Sequence, residues 1–198
     1  MNKASTTRLS ILHKAFELVY ANGYQATSVD DILAKTHVTK GAFYYHFKNK
    51  DEMGIALIKE VLYPGMSEAL IKPLLHSSDS TSEIFRMMKA LLQENPFFQV
   101  KYGCPAVNLI EEMGGSHAGF RKALKGLFNE WQKTLQKSIE QGKTSGQLRK
   151  DVNAEQVALF ITTGYGGIRN LGKLFGKECY VTYLKELKVY LNGLKTPK

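Results

Sequence analysis

Apolar side chains recur at intervals of three and four residues along most of the chain, and no convincing run alternates between apolar and polar positions as a half-buried strand would. In the first such run, Leu9, Leu12, Phe16 and Val19 fall on one side of a helix. Gly23 follows soon after, and glycine is the usual residue where a helix ends in a left-handed conformation. The pattern predicts an all-α fold whose first helix ends near this glycine.

The stretch TSVDDILAKTHVTKGAFYYHFKNKDEM, residues 27–53, contains three signals for the start of a helix. Ser28 with Asp31 three residues later is the first, Thr39 is the second and Asn49 is the third. Side chains of this kind accept a hydrogen bond from a free backbone N–H, and an acidic residue at the third helical position can return the bond. We therefore predict a second helix after Ser28, a third of about two turns after Thr39, and a fourth after Asn49.

Helical spacing continues over residues 50–75, where Pro64 and Pro73 are expected to kink or shorten the helix because proline lacks a backbone N–H. The polar run HSSDSTS, residues 76–82, is the clearest linker in the chain. Further helical segments are predicted over residues 82–94, 104–113, 118–141, 154–175 and 178–194.

Two short helices joined by a tight turn at residues 37–39 are typical of a helix-turn-helix, whose second helix enters the major groove of DNA. In that helix Phe43 is expected to face the core, with Gly41 and Tyr45 opposite it. Lys40 can donate hydrogen bonds to guanine acceptors or to a phosphate, and a glycine at position 41 lets the backbone approach DNA closely. Further donors for phosphate oxygens or base edges are expected from Thr27, Ser28, Tyr44, Tyr45, His46, Lys48 and Lys50.

Plainer interpretations exist for some of these residues. Tyr44 and Tyr45 could be half-buried core contacts, although Phe43 and Phe47 already occupy the inward side of the helix. For the lysines around position 50, a solvated surface is a serious alternative.

The distribution of charge agrees with an acidic partner. The chain carries a formal net charge of +9, with a pI near 9.4. Its first fifty residues hold seven Lys or Arg and three Asp or Glu, so positive charge is densest at the amino end. Such a distribution favours a phosphate-bearing partner, but a solvated surface, or nonspecific binding to RNA or to a membrane surface, would need only the same charge.

Several classes of protein are made improbable by composition. No basic start is followed by an apolar run, so a secretory signal is not expected. The longest uncharged run, residues 156–168, is too short and too rich in glycine to span a bilayer, so no membrane partner is expected and a cytoplasmic location follows. Cys104 and Cys179 are the only cysteines, which predicts two reduced thiols rather than a disulfide framework.

The segment GYQATSVDDILAKTHVTKGAFYYHFKNKDEM resembles the DNA-binding segment of the TetR family of transcriptional repressors. The resemblance is strong over residues 5–55, and GKTSGQLRKDVNAEQVALFI is similar to the region where the dimerisation helices of the family begin. It implies a helix-turn-helix DNA-binding domain over residues 1–50 and a ligand-binding and dimerisation domain over residues 51–198. By this match the DNA contacts are Thr27, Thr39, Lys40, Gly41, Tyr44, Tyr45, His46 and Lys50, with Lys40 and Tyr44 reading base edges.

One residue departs from the pattern of the family, whose members commonly have glycine in the turn where this chain has His37. Histidine tolerates a left-handed backbone better than most residues. We therefore expect the turn to be kept at some cost in stability.

The resemblance also implies a homodimer, in which the last two helices of each subunit form a four-helix bundle. The final helix supports this because its leucines follow a spacing of three and four, while Val181, Tyr183 and Tyr190 lie outside that seam. A symmetric dimer would present two recognition helices to a pseudo-palindromic operator. Close backbone packing or room for a ligand would explain four glycines that are costly inside the preceding helix, namely Gly164, Gly166, Gly167 and Gly172.

An effector pocket is implied in the larger domain, and a small apolar or electrophilic molecule that binds there would release the operator. Aromatic and methionine side chains can form an adaptable apolar cavity, but any one of them could simply fill the core. The candidate ligand-binding residues are Met88, Phe98, Tyr102, Cys104, Phe128, Trp131 and Tyr165, with Met87 and Phe97 as further members of the set.

Cys104 has a second interpretation, because Pro105 suits the first position of a helix and would place the thiol at a helix N-terminus. That setting, with Lys101 nearby, can make a thiol reactive towards oxidants or electrophiles. The alternative is a small buried apolar side chain. An enzyme is not expected, since His117 is the nearest histidine, no nucleophile motif surrounds this cysteine, and the sequence shows no metal-spaced cluster and no cofactor motif.

Overall fold

The computed structural model describes residues 3–75 and 79–197. Within these ranges the chain is helical and loop-like, and the one β-type pairing is an isolated antiparallel bridge between Leu148 and Lys195. The all-α prediction is confirmed.

Four helices open the chain: α1 (Lys3–Asn22), α2 (Val29–Thr36), α3 (Lys40–His46) and α4 (Lys50–Leu57). Each of the three predicted caps is present, because Ser28, Thr39 and Asn49 all accept a backbone N–H three residues ahead of them. At the first of these caps Asp31 returns the bond, which completes the predicted capping box.

Beyond α4 the chain stays helical as predicted, but in a looser form. The continuation consists of a π-helical stretch Ile58–Leu62, an α-helical turn Tyr63–Met66, a second π-helical stretch Ser67–Ile71 and a 3₁₀ turn Lys72–Leu74. Pro64 and Pro73 both lie in this irregular continuation, where proline cannot donate the backbone hydrogen bond that a regular helix needs. Residues 76–78 of the predicted linker lie outside the described residues.

The next helix, α5 (Ser80–Lys89), begins two residues earlier than predicted because Asp79, rather than Ser82, is its N-cap. It continues as a π-helical stretch Ala90–Glu94, and a 3₁₀ turn at Val100–Tyr102 follows. The remaining helices are α6 (Pro105–Leu109) with a π-helical stretch Ile110–Gly114, α7 (Ala118–Thr144), α8 (Ala154–Phe175) and α9 (Glu178–Gly193).

The chain divides into two compact units. The N-terminal unit contains residues up to Gly65 together with Pro105–Gly126, and the C-terminal unit contains Met66–Cys104 together with residues from Leu127 onwards. The N-terminal helices are thus grouped with α6 and the start of α7, which are distant in sequence. The functional boundary after residue 50 stays a prediction.

Two of the four glycines of α8 are explained by its packing against α9. A Cβ at Gly164 would lie 2.5 Å from the Tyr183 hydroxyl, and one at Gly172 would collide with the Tyr180 ring. Close approach of side chains from α9 is therefore the reason for both glycines. In the described part of the chain, none of the helices combines the length and apolar character needed to cross a bilayer.

Candidate nucleic-acid interface

The turn between α2 and α3 has the tight geometry of a helix-turn-helix. His37 closes α2 in a left-handed conformation, with φ of 53° and ψ of 24°, and its backbone N–H donates to the Leu33 carbonyl at 3.1 Å. Among the described residues it is the one non-glycine residue with positive φ. The expectation that histidine would adopt the backbone of a turn glycine is confirmed.

The inward side of α3 is fixed by aromatic packing. Phe43 is completely buried and Phe47 is 1% exposed, with their ring centroids 5.5 Å apart. Arg8 of α1 holds the end of the helix, since its guanidinium lies 4.4 Å from the centroid of the Phe47 ring and donates to the His46 carbonyl at 3.0 Å. The same guanidinium also pairs with Glu60 at 2.6 Å, so it holds three elements together. The position of α3 is therefore set by the core of its own unit.

The opposite side of α3 faces outwards. Tyr45 is 78% exposed and Tyr44 is 47% exposed, which favours the interpretation of both as contacts with a partner over half-buried core residues. Lys40 is exposed and makes an ion pair with Asp30 at 3.8 Å. A Cβ at Gly41 would meet no atom of the protein within 4 Å, so the packing of this chain does not require glycine there.

At the start of α2, the side-chain hydroxyls form hydrogen bonds within the protein. The Thr27 side chain is 1% exposed, and its hydroxyl donates to the Gly23 carbonyl at 2.7 Å. The Ser28 hydroxyl donates to the Asp31 carboxylate at 2.6 Å and accepts from the Asp31 backbone N–H. The Ser28 backbone N–H also donates to this carboxylate, and the two bonds that the carboxylate accepts from Ser28 hold the pKa of Asp31 below its usual value. The predicted hydroxyl contacts of Thr27 and Ser28 with DNA would therefore have to replace bonds within the protein.

The predicted lysine contacts also differ from each other. Lys48 is exposed, whereas the Lys50 ammonium lies 4.4 Å from the centroid of the Tyr24 ring and 3.4 Å from the Gln25 carbonyl oxygen. Partial burial lowers the pKa of Lys50, and burial together with a hydrogen bond to Asp51 raises the pKa of the Tyr24 phenol. Lys50 is thus partly engaged in the fold, and Lys48 is the freer of the two.

Two residues that hold the helix-turn-helix in place were not predicted from the sequence. Arg8 positions the end of α3, and nothing in its local sequence shows that its partners lie near residues 46 and 60. Glu112, from the π-helical stretch after α6, accepts the backbone N–H of Tyr24 at 3.0 Å and of Gln25 at 2.8 Å. Its carboxylate therefore holds the turn that leads into α2.

The predicted effector residues lie in the C-terminal unit, and ring contacts join some of them. Trp131 contacts two other aromatic rings of the set: its ring centroid lies 6.2 Å from that of Phe128, in a tilted arrangement, and 5.3 Å from that of Tyr165, edge to face. Phe98 lies beside the guanidinium of Arg169, which is four residues after Tyr165 in α8. The remaining members of the set are the fully buried Met88 and Cys104 and the half-buried Tyr102.

Cys104 directly precedes α6, as predicted from Pro105, but its side chain is completely buried. A reagent would have to enter the core to reach the thiol, so burial favours the interpretation as a small apolar side chain. Both cysteines are free thiols. Within the described ranges, no three His, Cys, Asp or Glu side chains are grouped so as to hold a metal ion.

Comparison with known proteins identifies the architecture. Residues 11–57 match the family model of bacterial regulatory proteins of the tetR family, and residues 82–186 match the model of the tetracyclin repressor-like C-terminal domain. An uncharacterised HTH-type transcriptional regulator of Lactococcus lactis is 31% identical over 133 residues, which is 67% of this chain and 68% of that protein. The HTH-type transcriptional repressor DhaR of a Mycobacterium species is 26% identical over 165 residues, 81% of this chain and 79% of that protein.

The fold is also found among solved structures. A TetR transcriptional regulator from Chloroflexus aurantiacus superposes with a TM-score of 0.87 at 23% identity and covers 98% of both chains. Both halves of this chain thus match, in the order expected for a helix-turn-helix followed by a larger helical domain, and the matched proteins are regulators rather than enzymes. The chain belongs to the TetR family of DNA-binding transcriptional regulators.

Proposed function

We propose that this chain is a ligand-responsive repressor that binds a pseudo-palindromic operator as a homodimer, in the cytoplasm, and leaves it when a small apolar or electrophilic effector binds. The observation that carries the proposal is the division of α3 into two sides. Phe43 is fully buried, whereas Lys40, Gly41, Tyr44 and Tyr45 are exposed. An outward side of this composition suits contact with DNA.

Lys40 and Tyr44 are assigned to base edges. If Lys40 gives up Asp30 to reach a guanine, little is lost, because an exposed ion pair of this kind stabilises a protein by only about 0–1 kcal/mol. A well-formed contact with the correct base contributes about 1–3 kcal/mol of discrimination. The exchange of partners is therefore favourable. Gly41 between them is assigned to the close approach of the backbone.

Phosphate contacts are assigned to the edge of the same surface, and they position the protein without reading sequence. Tyr45 and Lys48 are exposed there, and Lys50 can keep its contact with the Tyr24 ring while it donates to a phosphate, because an ammonium has three donors. The other residues assigned to phosphate are Thr39 and His46. At the start of α2, backbone N–H groups rather than the Thr27 and Ser28 hydroxyls are the donors left for a phosphate.

The homodimer is supported by an apolar surface on the last two helices. On α8, several large apolar side chains are exposed, and on α9 Val181 is 44% and Val189 is 66% exposed. Gly167 lies on the same outward part of α8, and a Cβ there would meet nothing within 4 Å, so packing inside the subunit does not explain this glycine. A second copy of the chain packed closely on this surface would explain it. The exposed apolar residues of α8 are Leu159, Phe160, Leu171, Leu174 and Phe175.

Effector binding is assigned to the C-terminal unit, where the aromatic group Phe128, Trp131 and Tyr165 and the buried Cys104 lie. An effector that binds one geometry of the dimer better than the other shifts the population towards it, and only one geometry matches two successive grooves. The sign of regulation is taken from the Mycobacterium relative, which is named as a repressor.

The proposal is tested by titrating the purified protein with duplex DNA from the region upstream of its own gene. A scrambled duplex of the same length and composition is the control. We expect saturable binding to a palindromic segment that is at least a thousandfold tighter than to the control, with an affinity that falls steeply as salt is raised. Equal affinity for the two duplexes at every salt concentration would reduce the proposal to nonspecific electrostatic binding.

A further inference from the structure

Arg169, in the middle of α8, is completely buried in the C-terminal unit. Arginine is almost never fully buried unless it is paired, because removal of its charge from water is costly. A buried arginine without a counter-charge therefore calls for a physical explanation.

The neighbours of this guanidinium are backbone carbonyls and aromatic rings. Nη2 donates to the carbonyl oxygens of Gln99, at 3.2 Å, and of Gly103. The carbon of the guanidinium lies 5.5 Å from the centroid of the Phe98 ring and 5.6 Å from that of Tyr180. Neither Nε nor Nη1 has a hydrogen-bond partner, and no carboxylate of the described chain pairs with the side chain.

The charge balance around Arg169 is positive. Two carbonyl dipoles and two ring faces offset part of a full charge, but they leave Nε and Nη1, which together carry three N–H donors, without an acceptor. The Tyr180 hydroxyl is also buried without a hydrogen-bond partner, and burial raises the pKa of this phenol, so it remains a neutral donor. One small region of the core thus contains several donors and lacks an anion.

A cleft lies beside this region in the same unit. Phe98 and Gln99, which both contact Arg169, line a cleft of about 440 Å³. Lys101 and Lys177 also line it and outnumber its one acidic residue, Glu94. The volume lies in the range of small-molecule sites, and the lysines would attract an anion into the cleft.

We propose that Arg169 is the anion-recognition residue of the effector site and that the effector is a small organic acid, whose carboxylate accepts from Nε or Nη1 while its apolar part packs against Phe98. This assignment rests on the proposed effector response and adds a negative charge to the apolar molecule proposed above. The unsatisfied donors destabilise the free protein, and the acid removes that cost, which gives binding its driving force.

The test is direct binding to the purified protein without DNA, by calorimetry and thermal shift. The probes are three acids, butyrate, hexanoate and benzoate, each compared with its own amide, which keeps the shape and removes the charge. We expect at least one acid to bind about tenfold or more tightly than its amide and to raise the melting temperature. If none of the acids binds at millimolar concentration, or if every amide binds as tightly as its acid, the assignment is wrong.

Two variants locate the preference at this residue. Arg169→Met is expected to abolish the preference for acid over amide, and Arg169→Lys, which keeps a charge but loses the Nε and Nη1 donors, to weaken acid binding about tenfold. Arg86→Met is the matched control because it removes the same charge from an exposed arginine of the same unit, and it should bind the acid like the natural protein. If Arg169→Met does not fold, Arg169→Lys alone decides, and an unchanged affinity in that variant would refute the assignment.

The outcome is separate from that of the proposed function. A protein that binds its operator but shows no acid preference retains the proposed function and loses this site. A protein that binds the acid through Arg169 but ignores operator DNA retains this site and loses the proposed function.

Discussion

The substitution Gly41→Ala is expected to stabilise the fold and to weaken DNA binding. Gly41 is the second residue of α3, its backbone is not in the left-handed region, and an added Cβ meets no atom of the protein within 4 Å. Alanine there should raise the free energy of unfolding by up to about 1 kcal/mol, since it is the better helix former. Against DNA, an extra methyl group at a close backbone approach should cost about 1–3 kcal/mol, which weakens operator binding about 5- to 150-fold.

The two effects have opposite signs, so they cannot arise from one change in stability. Urea unfolding measures the change in the free energy of unfolding. Fluorescence anisotropy with labelled operator and scrambled duplexes measures the change in DNA affinity. Gly126→Ala is the matched control, because Gly126 lies inside α7 and a Cβ there also meets nothing within 4 Å. It should stabilise the protein by about 1 kcal/mol and leave operator affinity unchanged. If Gly41→Ala binds the operator as tightly as the natural protein, the backbone of α3 does not approach DNA there.

Four further predictions follow from the described geometry. His37→Gly should raise the free energy of unfolding by about 1 kcal/mol, measured in urea, because glycine adopts the left-handed turn without strain. Lys40→Ala should weaken the operator complex more than the scrambled complex, whereas Lys50→Ala should weaken both alike and reduce the salt slope by about one; equal losses for both variants would contradict the assignment of Lys40 to a base. Leu174→Glu, on the exposed apolar surface of α8, should convert dimers to monomers in light scattering, and an unchanged mass would place the interface elsewhere. The pKa of Asp31 is lowered in the folded protein, so the ionised Asp31 carboxylate stabilises the fold at any pH above the ordinary carboxyl pKa. This stabilisation is lost as the pH falls through the pKa that Asp31 has in the folded protein. Asp31→Asn should therefore have a lower melting temperature than the natural protein at neutral pH and the same melting temperature at strongly acidic pH.

Features set by neighbours in the sequence were predictable. The caps at Ser28, Thr39 and Asn49 each involve a side chain and a backbone N–H three residues away, so the sequence contains both partners. The inward direction of Phe43 follows from helical periodicity in the same way. The buried and exposed sides of α3 could be assigned before its surroundings were known.

Features set by distant partners were not predictable. Thr27 looked like a free hydroxyl at a helix start, but the fold buries it. The pairing of Lys40 with Asp30 depends on the angle between α2 and α3. The start of α7 belongs to the N-terminal unit, which the order of the helices does not indicate.

Arg169 is the clearest case of this limit. Its two backbone partners lie 70 and 66 residues away along the chain, and its helix is otherwise rich in apolar and small residues. From the sequence alone, Arg169 cannot be distinguished from an arginine on the solvent-exposed side of a long helix. Only the fold shows that the charge is enclosed and that two of the guanidinium nitrogens lack an acceptor.

The central claim is that two copies of α3 enter successive major grooves of one duplex, and methylation protection at guanine N7 tests it most directly, because N7 is an acceptor in the major groove. On the operator, we expect protected guanines in two half-sites related by a twofold axis and separated by about one turn of DNA or a multiple of it. At a protein concentration close to the Kd of the natural complex, protection should be weakened by Gly41→Ala and retained with Gly126→Ala. A protein that binds the operator while every guanine N7 stays open to methylation would contradict the account.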